Sequence, residues 1–105
     1  MGAGVTESAK KYIEEHHATI GRIDEVAVRL SVSYHTLRKQ FVRETGTSLS
    51  SYLHAVRVCE ARRLRRSSDL KLYAIATAVG YRSDAVLRKH WKRIMGECPS
   101  EEAEE

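Results

Sequence analysis

The feature of this sequence that most restricts its fold is an internal repeat at a spacing of 50 residues. Residues of the same kind recur at this spacing in four pairs: Ser33 and Ser83, Leu37 and Leu87, Phe41 and Trp91, Gly46 and Gly96. Each pair has one role in a helix, namely N-terminal cap, buried aliphatic residue, buried aromatic residue or C-terminal stop. Matched roles at a fixed spacing predict two duplicated structural units.

The first unit has the pattern of a helix-turn-helix. A short helix is predicted by apolar residues at helical spacing, which are Ile23, Val26, Ala27 and Leu30. A tight turn at Ser31–Val32 leads to a longer helix that begins at Ser33 and ends at Gly46. We expect its inner face to carry Leu37 and Phe41, with Gln40 and Glu44 as further candidates. Two helices joined in this way form the helix-turn-helix outline.

The second unit repeats this pattern. Its short helix is predicted by Leu72, Ile75, Ala76 and Val79, and its longer helix begins at Ser83 and ends near Gly96. Val26–Ala27 and Ile75–Ala76 are separated by 49 residues rather than 50. The second turn, at residues 80–82, is therefore expected to be one residue longer than the first.

Two further helices complete the predicted fold. A first helix begins near Thr6 or Glu7, and a fourth runs from Ser48 to about Arg66, where it spans roughly 27 Å. The fourth helix is apolar on more than one side, which is typical of a strut buried between two units. We expect Cys59 within it to be a small buried residue. The predicted division is a first subdomain at 6–47, a linker helix at 48–66, a second subdomain at 67–100 and an acidic tail at 101–105.

The charge is concentrated in the body of the chain. The net charge is only +4, but residues 22–93 contain 16 Lys and Arg against six Asp and Glu, and five acids lie in the last nine residues. A basic body favours a polyanionic partner, whereas the acidic end is typical of a solvated tail.

Several functional classes find no support in the sequence. It contains no phosphate-binding glycine loop, nucleophile motif or cysteine pair at zinc spacing, so we expect no enzyme activity, no metal and no cofactor. The adjacent His16 and His17 diverge by about 100° on a helix, which favours solvated surface over a metal site. No apolar run is long enough for a membrane span, and the N-terminus lacks the apolar core of a signal peptide, so we expect a cytoplasmic protein.

The outward faces of the two longer helices are the candidate DNA-reading surfaces. We expect base contacts from residues that share these faces: Tyr34, His35, Arg38 and Lys39 in the first unit, and Asp84, Ala85, Arg88 and Lys89 in the second. Asp84 has a second interpretation, as a cap of its own helix. The expected phosphate contacts are Ser33, Arg43, Arg57, Arg82, Ser83, Lys92 and Arg93. Some of the arginines could instead form salt bridges, with Glu60 as a local partner.

The residues from Tyr12 to Ser100 resemble the DNA-binding domain of the AraC/XylS family of bacterial transcription regulators. The likeness is carried by the segments VAVRLSVSYHTLRKQFVRETGTSLSSYL, VRVCEARRL and LYAIATAVGYRSDAVLRKHWKRIMGECPSE. It departs from the family pattern at Arg22, Arg65, Leu87 and Trp91, and in the acidic residues after Pro99.

The resemblance implies an all-α fold of about seven helices in two subdomains, the last helix following Pro99. It implies that the third and sixth helices enter successive major grooves of double-stranded promoter DNA. RNA polymerase is a further expected partner if the regulator is an activator. We expect a monomer, and we expect the chain to be a domain excised from a longer regulator rather than a stand-alone protein.

Two other classes of helical protein fit the sequence less well. A different helical nucleic-acid binder, such as a homeodomain-like or RNA-binding module, would leave half of the chain unexplained or need exposed aromatic residues on a sheet. A helical protein-interaction module would not require basic pairs at matching repeat positions, as in Arg38–Lys39 and Arg88–Lys89.

Overall fold

The structure is a computed structural model that describes residues 4–97. Within this range it contains six helices and no strand, so the predicted all-α class is confirmed. The helices are α1 (Gly4–His16), α2 (Glu25–Arg29), α3 (Tyr34–Thr45), α4 (Leu49–Ser67), α5 (Leu72–Ala78) and α6 (Asp84–Met95). The predicted last helix at Pro99 and the acidic tail at 101–105 lie outside the described residues.

The chain divides into two compact units, and the boundary in the sequence lies between Leu53 and His54, inside α4. The first unit contains α1, α2 and α3 with the first turn of α4, and the second contains the remainder of α4 with α5 and α6. In the first unit α1 packs against both α2 and α3, and in the second α5 packs against α6.

Each unit has an apolar core built around its longer helix. In the first, Leu37 and Phe41 of α3 are fully buried, and the core also contains Ala9, Ile13, Ile20, Val26, Ala27, Leu49 and Leu53. In the second, Leu87 and Trp91 of α6 are fully buried among Val58, Ala61, Leu72, Ile75, Ala76, Val79 and Tyr81. Truncating such a buried aromatic residue to alanine costs about 3–5 kcal/mol. The paired core positions therefore hold each longer helix at a fixed rotation.

The ends of α3 and α6 are formed as the repeat predicts. The Ser33 hydroxyl accepts a hydrogen bond from the backbone N–H of Thr36, and the Ser83 hydroxyl accepts one from Val86, both at 3.3 Å. Both helices end at a glycine in the left-handed conformation, with φ of 80° at Gly46 and 83° at Gly96. The hydroxyls of Ser33 and Ser83 thus pair with backbone N–H groups that the start of a helix otherwise leaves without a partner.

The two turns share their backbone hydrogen bonds at a spacing of 49 residues. The N–H of Val32 donates to the carbonyl of Ala27 at 3.0 Å, and the N–H of Tyr81 donates to Ala76 at 2.9 Å. In the first turn, Val32 is followed directly by the cap residue Ser33. In the second turn, Arg82 lies between Tyr81 and the cap residue Ser83. The extra residue predicted for the second turn is therefore Arg82.

Three expectations about side-chain placement are wrong. Cys59 is exposed, because α4 turns Val58 and Ala61 into the core of the second unit and leaves the residue after Val58 facing outward. Glu44 is also exposed: it lies on the same side of the helix as Leu37 and Phe41, but in the last turn of α3, where this side is no longer covered. His16 is half-buried rather than solvated, since its ring stacks on Tyr12 with centroids 4.3 Å apart.

The residue before Val32 gives a prediction about stability. Ser31 has φ of 58°, and the matching residue of the second turn is Gly80, with φ of 103°. A side chain in the left-handed region costs about 1–2 kcal/mol, which glycine avoids at a smaller cost in unfolded-state entropy. Ser31→Gly should therefore stabilise the first unit by about 0.5–1 kcal/mol, measured as slower amide hydrogen exchange at Leu37 and Phe41.

The reciprocal change Gly80→Ser is the control. It should destabilise the second unit by about 1 kcal/mol or more, measured by urea unfolding monitored through the fluorescence of Trp91, the single tryptophan of the chain. If Ser31→Gly speeds exchange in the first unit, the strain assigned to Ser31 is wrong.

Candidate nucleic-acid interface

The outward face of α3 carries a row of cationic and polar side chains. Burial of Leu37 and Phe41 turns the opposite side of the helix to solvent, and His35, Arg38, Lys39 and Arg43 are all exposed there. Val42 lies between them and is 43% exposed. Of the other residues predicted at this face, Tyr34 is half-buried at the first position of the helix and Ser33 is exposed at its cap.

The outward face of α6 carries the same arrangement 50 residues later. Arg88 and Lys89 are exposed at the positions that correspond to Arg38 and Lys39. Other exposed side chains on or beside this face are Ala85, Lys92, Arg93 and, in the turn before the helix, Arg82. Both longer helices thus present a basic pair from the same helical position, next to a buried leucine.

The two faces differ at one matching position. Asp84 is the first residue of α6, and its carboxylate forms an ion pair with Arg88 four residues later, at 3.6 Å. The corresponding residue of α3 is Tyr34, which has no charge to offer Arg38. The alternative interpretation of Asp84 as a cap is wrong, because Ser83 occupies the cap position and its hydroxyl makes the capping hydrogen bond.

Helix α6 is seated on a cluster of aromatic rings that we call the ring cluster, formed by His54 of α4, Tyr81 of the turn and His90 of α6. The rings of His54 and His90 stack with centroids 3.8 Å apart, and the Tyr81 hydroxyl lies 2.6 Å from Nδ1 of His54. The ring cluster therefore connects three elements of the second unit.

Arg57 belongs to this buried region rather than to the exposed basic surface. Only 6% of it is exposed, and its guanidinium carbon lies 5.1 Å from the ring centroid of Tyr81. This position does not suit the phosphate contact that the sequence suggested. One of the local salt bridges expected in α4 does form: the Glu60 carboxylate pairs with the guanidinium of Arg63 at 2.5 Å.

The ring cluster was missed by the sequence analysis. His54, Tyr81 and His90 follow no common spacing, and two of the three are residue types that periodicity counts as polar. The available signal is the pair Gly80–Tyr81, because an aromatic residue in a tight turn is often packed against a neighbouring helix. The partners of that residue come from other elements, which the sequence pattern does not specify.

Burial shifts the proton affinities of the ring cluster. It lowers the pKa of His54 to about 4 and also lowers that of His90, and nearby arginine charges act in the same direction. Burial raises the pKa of Tyr81 to about 12. A guanidinium N–H of Arg93 donates to Nδ1 of His90 at 2.9 Å. Since a guanidinium has only donors, this bond requires Nδ1 of His90 to be unprotonated.

The described part of the chain offers no basis for a metal site or a membrane span. Among residues 4–97, no three His, Cys, Asp or Glu side chains are grouped so that they could hold a metal ion. No helix in this range is both long enough and apolar enough to cross a membrane.

Comparisons with known proteins agree on one kind of domain. Residues 26–105 match a family model described as a helix-turn-helix domain. The chain is 37% identical over 70 residues to the HTH-type transcriptional activator RhaS of Klebsiella pneumoniae (strain 342), which covers 67% of this chain and 25% of that protein. A second relative, the Msm operon regulatory protein of Streptococcus mutans, is 28% identical over 91 residues. The chain spans 25% and 33% of the lengths of these two relatives.

Two solved structures are similar over most of the chain. The C-terminal domain of AraT, a response regulator from Geobacillus stearothermophilus, has a TM-score of 0.91 and 27% identity, with 96% of this chain and 84% of that one covered. The DNA-binding domain of AdpA, a global transcriptional factor solved in complex with a target DNA, has a TM-score of 0.86 and 28% identity. That match covers 93% of this chain and 88% of the AdpA domain.

The ring cluster generates a prediction about pH. The folded-state pKa of His54 and His90 lies below the ordinary value of about 6.5, so the unfolded chain takes up protons first as the pH falls. Stability from the neutral histidines is complete above about pH 7 and is lost as the pH falls from about 6.5 towards 4. We expect the second unit to lose about 1–2 kcal/mol between pH 7 and pH 5, allowing for partial solvent screening.

Urea unfolding followed by Trp91 fluorescence at the two pH values measures this loss. His54→Gln should reduce the pH dependence, whereas the exposed His35→Gln serves as the control and should leave it unchanged. An equal pH dependence in all three proteins would contradict the role assigned to the ring cluster.

Proposed function

Because this chain belongs to the family of AraC-type helix-turn-helix DNA-binding domains, we propose that it binds one double-stranded promoter site with two recognition helices, α3 and α6. The family is one of transcription regulators and not of enzymes. In the proposed complex each recognition helix lies in a major groove, and the two grooves are successive turns of the same duplex.

One observation carries the proposal. Arg38–Lys39 and Arg88–Lys89 occupy the same helical position in the two units, and both pairs are exposed opposite a fully buried leucine and aromatic residue. A basic pair on a solvated helix is common, but its recurrence on the outward face of both longer helices matches a surface built for a repeating polyanion. The major groove of B-DNA is wide enough to admit an α-helix.

We assign sequence readout to the outward faces of the two helices. Arg38 and Arg88 suit the two acceptors of a guanine edge, to which a guanidinium can donate twice. Lys39 and Lys89 lie beside them and can donate to the same kind of edge. The remaining proposed base contacts are Tyr34, His35 and Ala85.

Phosphate contacts are assigned to the flanks of these faces, where they would fix the position of each helix without reading sequence. This set contains exposed or half-buried residues next to the recognition helices: Ser33, Arg43, Arg82, Ser83, Lys92 and Arg93. Arg57 is left out because it is buried beside Tyr81. We give it the role of supporting α6 through the ring cluster.

The wider setting is also part of the proposal. We take residues 6–47 and 67–100 as the two reading subdomains and 48–66 as the helix that links them, in a monomer. If the regulator is an activator, the bound domain would also contact RNA polymerase. Binding to chromosomal promoters would place the protein in the bacterial cytoplasm.

The first test separates readout from charge. Selection from a random DNA pool with the wild-type protein defines the preferred site. Arg38→Ala should then cost about 1–3 kcal/mol on that site and relax the preference at one position, because a bidentate base contact is lost. Arg43→Ala should weaken binding to all sequences about equally, because a phosphate contact carries no sequence information.

Lys11→Ala is the matched control, since it removes one exposed positive charge from α1, a helix to which no DNA contact is assigned. It should change neither the preferred sequence nor, beyond a small factor, the affinity. If the sequence preference is unchanged in Arg38→Ala and in the corresponding α6 variant Arg88→Ala, the assigned reading faces are wrong.

The second test uses salt. If several Lys and Arg side chains neutralise phosphates, each releases about 0.9 counterion, so log Kd should rise linearly with log salt concentration. Removing one phosphate contact, as in Arg43→Ala or Lys92→Ala, should reduce the slope by about one. Binding titrations at four salt concentrations between about 50 and 200 mM measure it, and an affinity independent of salt would argue against DNA binding by these surfaces.

A further inference from the structure

We propose that Asp84 is a positioning residue that orients the Arg88 guanidinium for one base, so that α6 reads its groove more strictly than α3. This inference rests on the proposed DNA-binding function and adds to it a specificity-determining residue. It assigns Asp84 no base contact of its own, in contrast to the expectation drawn from the sequence.

The geometry of α6 supports this role. Asp84 and Arg88 lie one helical turn apart, and a terminal guanidinium nitrogen is 3.6 Å from a carboxylate oxygen. The side chains are 42% and 47% exposed, so the pair lies at the surface rather than in the core. Arg88 has five N–H donors, and an ion pair through one nitrogen leaves the others free to donate to a base edge.

The position of the pair makes it more than a helix-stabilising contact. Exposed ion pairs of this spacing contribute little to stability in water. Asp84, however, follows the cap Ser83 directly, at the end of the helix that carries the outward-facing Ala85 and Arg88. Exclusion of water by a bound duplex would strengthen the attraction between the two charges, because the local dielectric constant falls. The carboxylate then limits the directions in which Arg88 can donate.

The first unit supplies an internal comparison. Arg38 occupies the position of Arg88, but Tyr34 stands where Asp84 stands, so the chain provides no carboxylate one turn before Arg38. An arginine without such a partner can turn to several acceptors, including phosphates. We therefore infer that Arg88 discriminates among bases at its position more strongly than Arg38 does.

The carboxylate also has a cost that makes the proposal testable. DNA phosphates repel a negative charge, so an Asp84 that did nothing else would only weaken binding to every sequence. A positioning role gives a different result, because its removal strengthens binding to mismatched DNA while it weakens the preference for the correct base. Affinity and discrimination then move in opposite directions.

The experiment uses the full chain and the duplex selected by the wild-type protein. The base pair read by Arg88 is identified as the one whose preference falls most in Arg88→Ala, and the discrimination that remains there is the baseline for the double variant. Duplexes with each of the four base pairs at that position are then titrated with wild type, Asp84→Ala and Asp84→Glu. Asp84→Ala should reduce the discrimination between the best and the other bases about fivefold or more. Asp84→Glu should restore most of it, since a longer carboxylate still reaches the residue one turn later.

Two controls separate positioning from other roles. The preference at the position read by Arg38 should be unchanged in Asp84→Ala. A cooperative urea unfolding transition followed by the fluorescence of the buried Trp91 shows that the second unit of the variant is folded. In an Arg88→Ala background, Asp84→Ala should cause no additional loss of discrimination, because there is no guanidinium left to orient.

Each contrary result has a distinct meaning. Uniformly tighter binding of Asp84→Ala to all four duplexes, with discrimination intact, would overturn the inference and leave simple repulsion. A further loss of discrimination in the Arg88→Ala background would also overturn it, in favour of a direct base contact by Asp84. A wild-type protein that selects no sequence from the pool would instead overturn the proposed function itself.

Discussion

Both recognition helices depend on the burial of a leucine and an aromatic residue four positions later. Leu37 with Phe41, and Leu87 with Trp91, are fully buried in their separate cores. This burial fixes the rotation of each helix about its own axis, and the residues that follow each leucine are then forced to face outward. The basic surface is thus a consequence of core packing, and changes to that packing would misdirect every outward side chain of the helix at once.

The two units reach this arrangement with different supporting chemistry. In the first, the ring of Phe41 meets Tyr52 of α4 edge to face, with centroids 5.6 Å apart, and the Tyr52 hydroxyl donates to the carboxylate of Glu14. In the second, Tyr81 and two histidines form a stacked cluster with Arg57 alongside. A duplicated backbone therefore does not imply a duplicated interior.

Much of this fold could be predicted because the determining interactions are local. Helical spacing placed Ile75, Ala76 and Val79 in the core, and the capping roles of Ser33 and Ser83 follow from residues within one turn. Long-range contacts could not be predicted in the same way. A pattern of apolar residues does not predict that an arginine such as Arg57 is buried. It predicted instead that Cys59 is buried, and Cys59 faces outward. The contacts made by the reading faces stay predictions, since they depend on a partner.

The outward residues of the two units differ, and this difference has a consequence for any DNA duplex that both units bind. Arg82 has no counterpart in the first turn, and the Asp84–Arg88 pair has none in α3. A sequence that satisfies one recognition helix would therefore not satisfy the other, so a palindrome is a poor match for a single copy of the protein. In the proposed complex the two ends of the DNA site would therefore differ, and a single bound chain would have one orientation along the duplex.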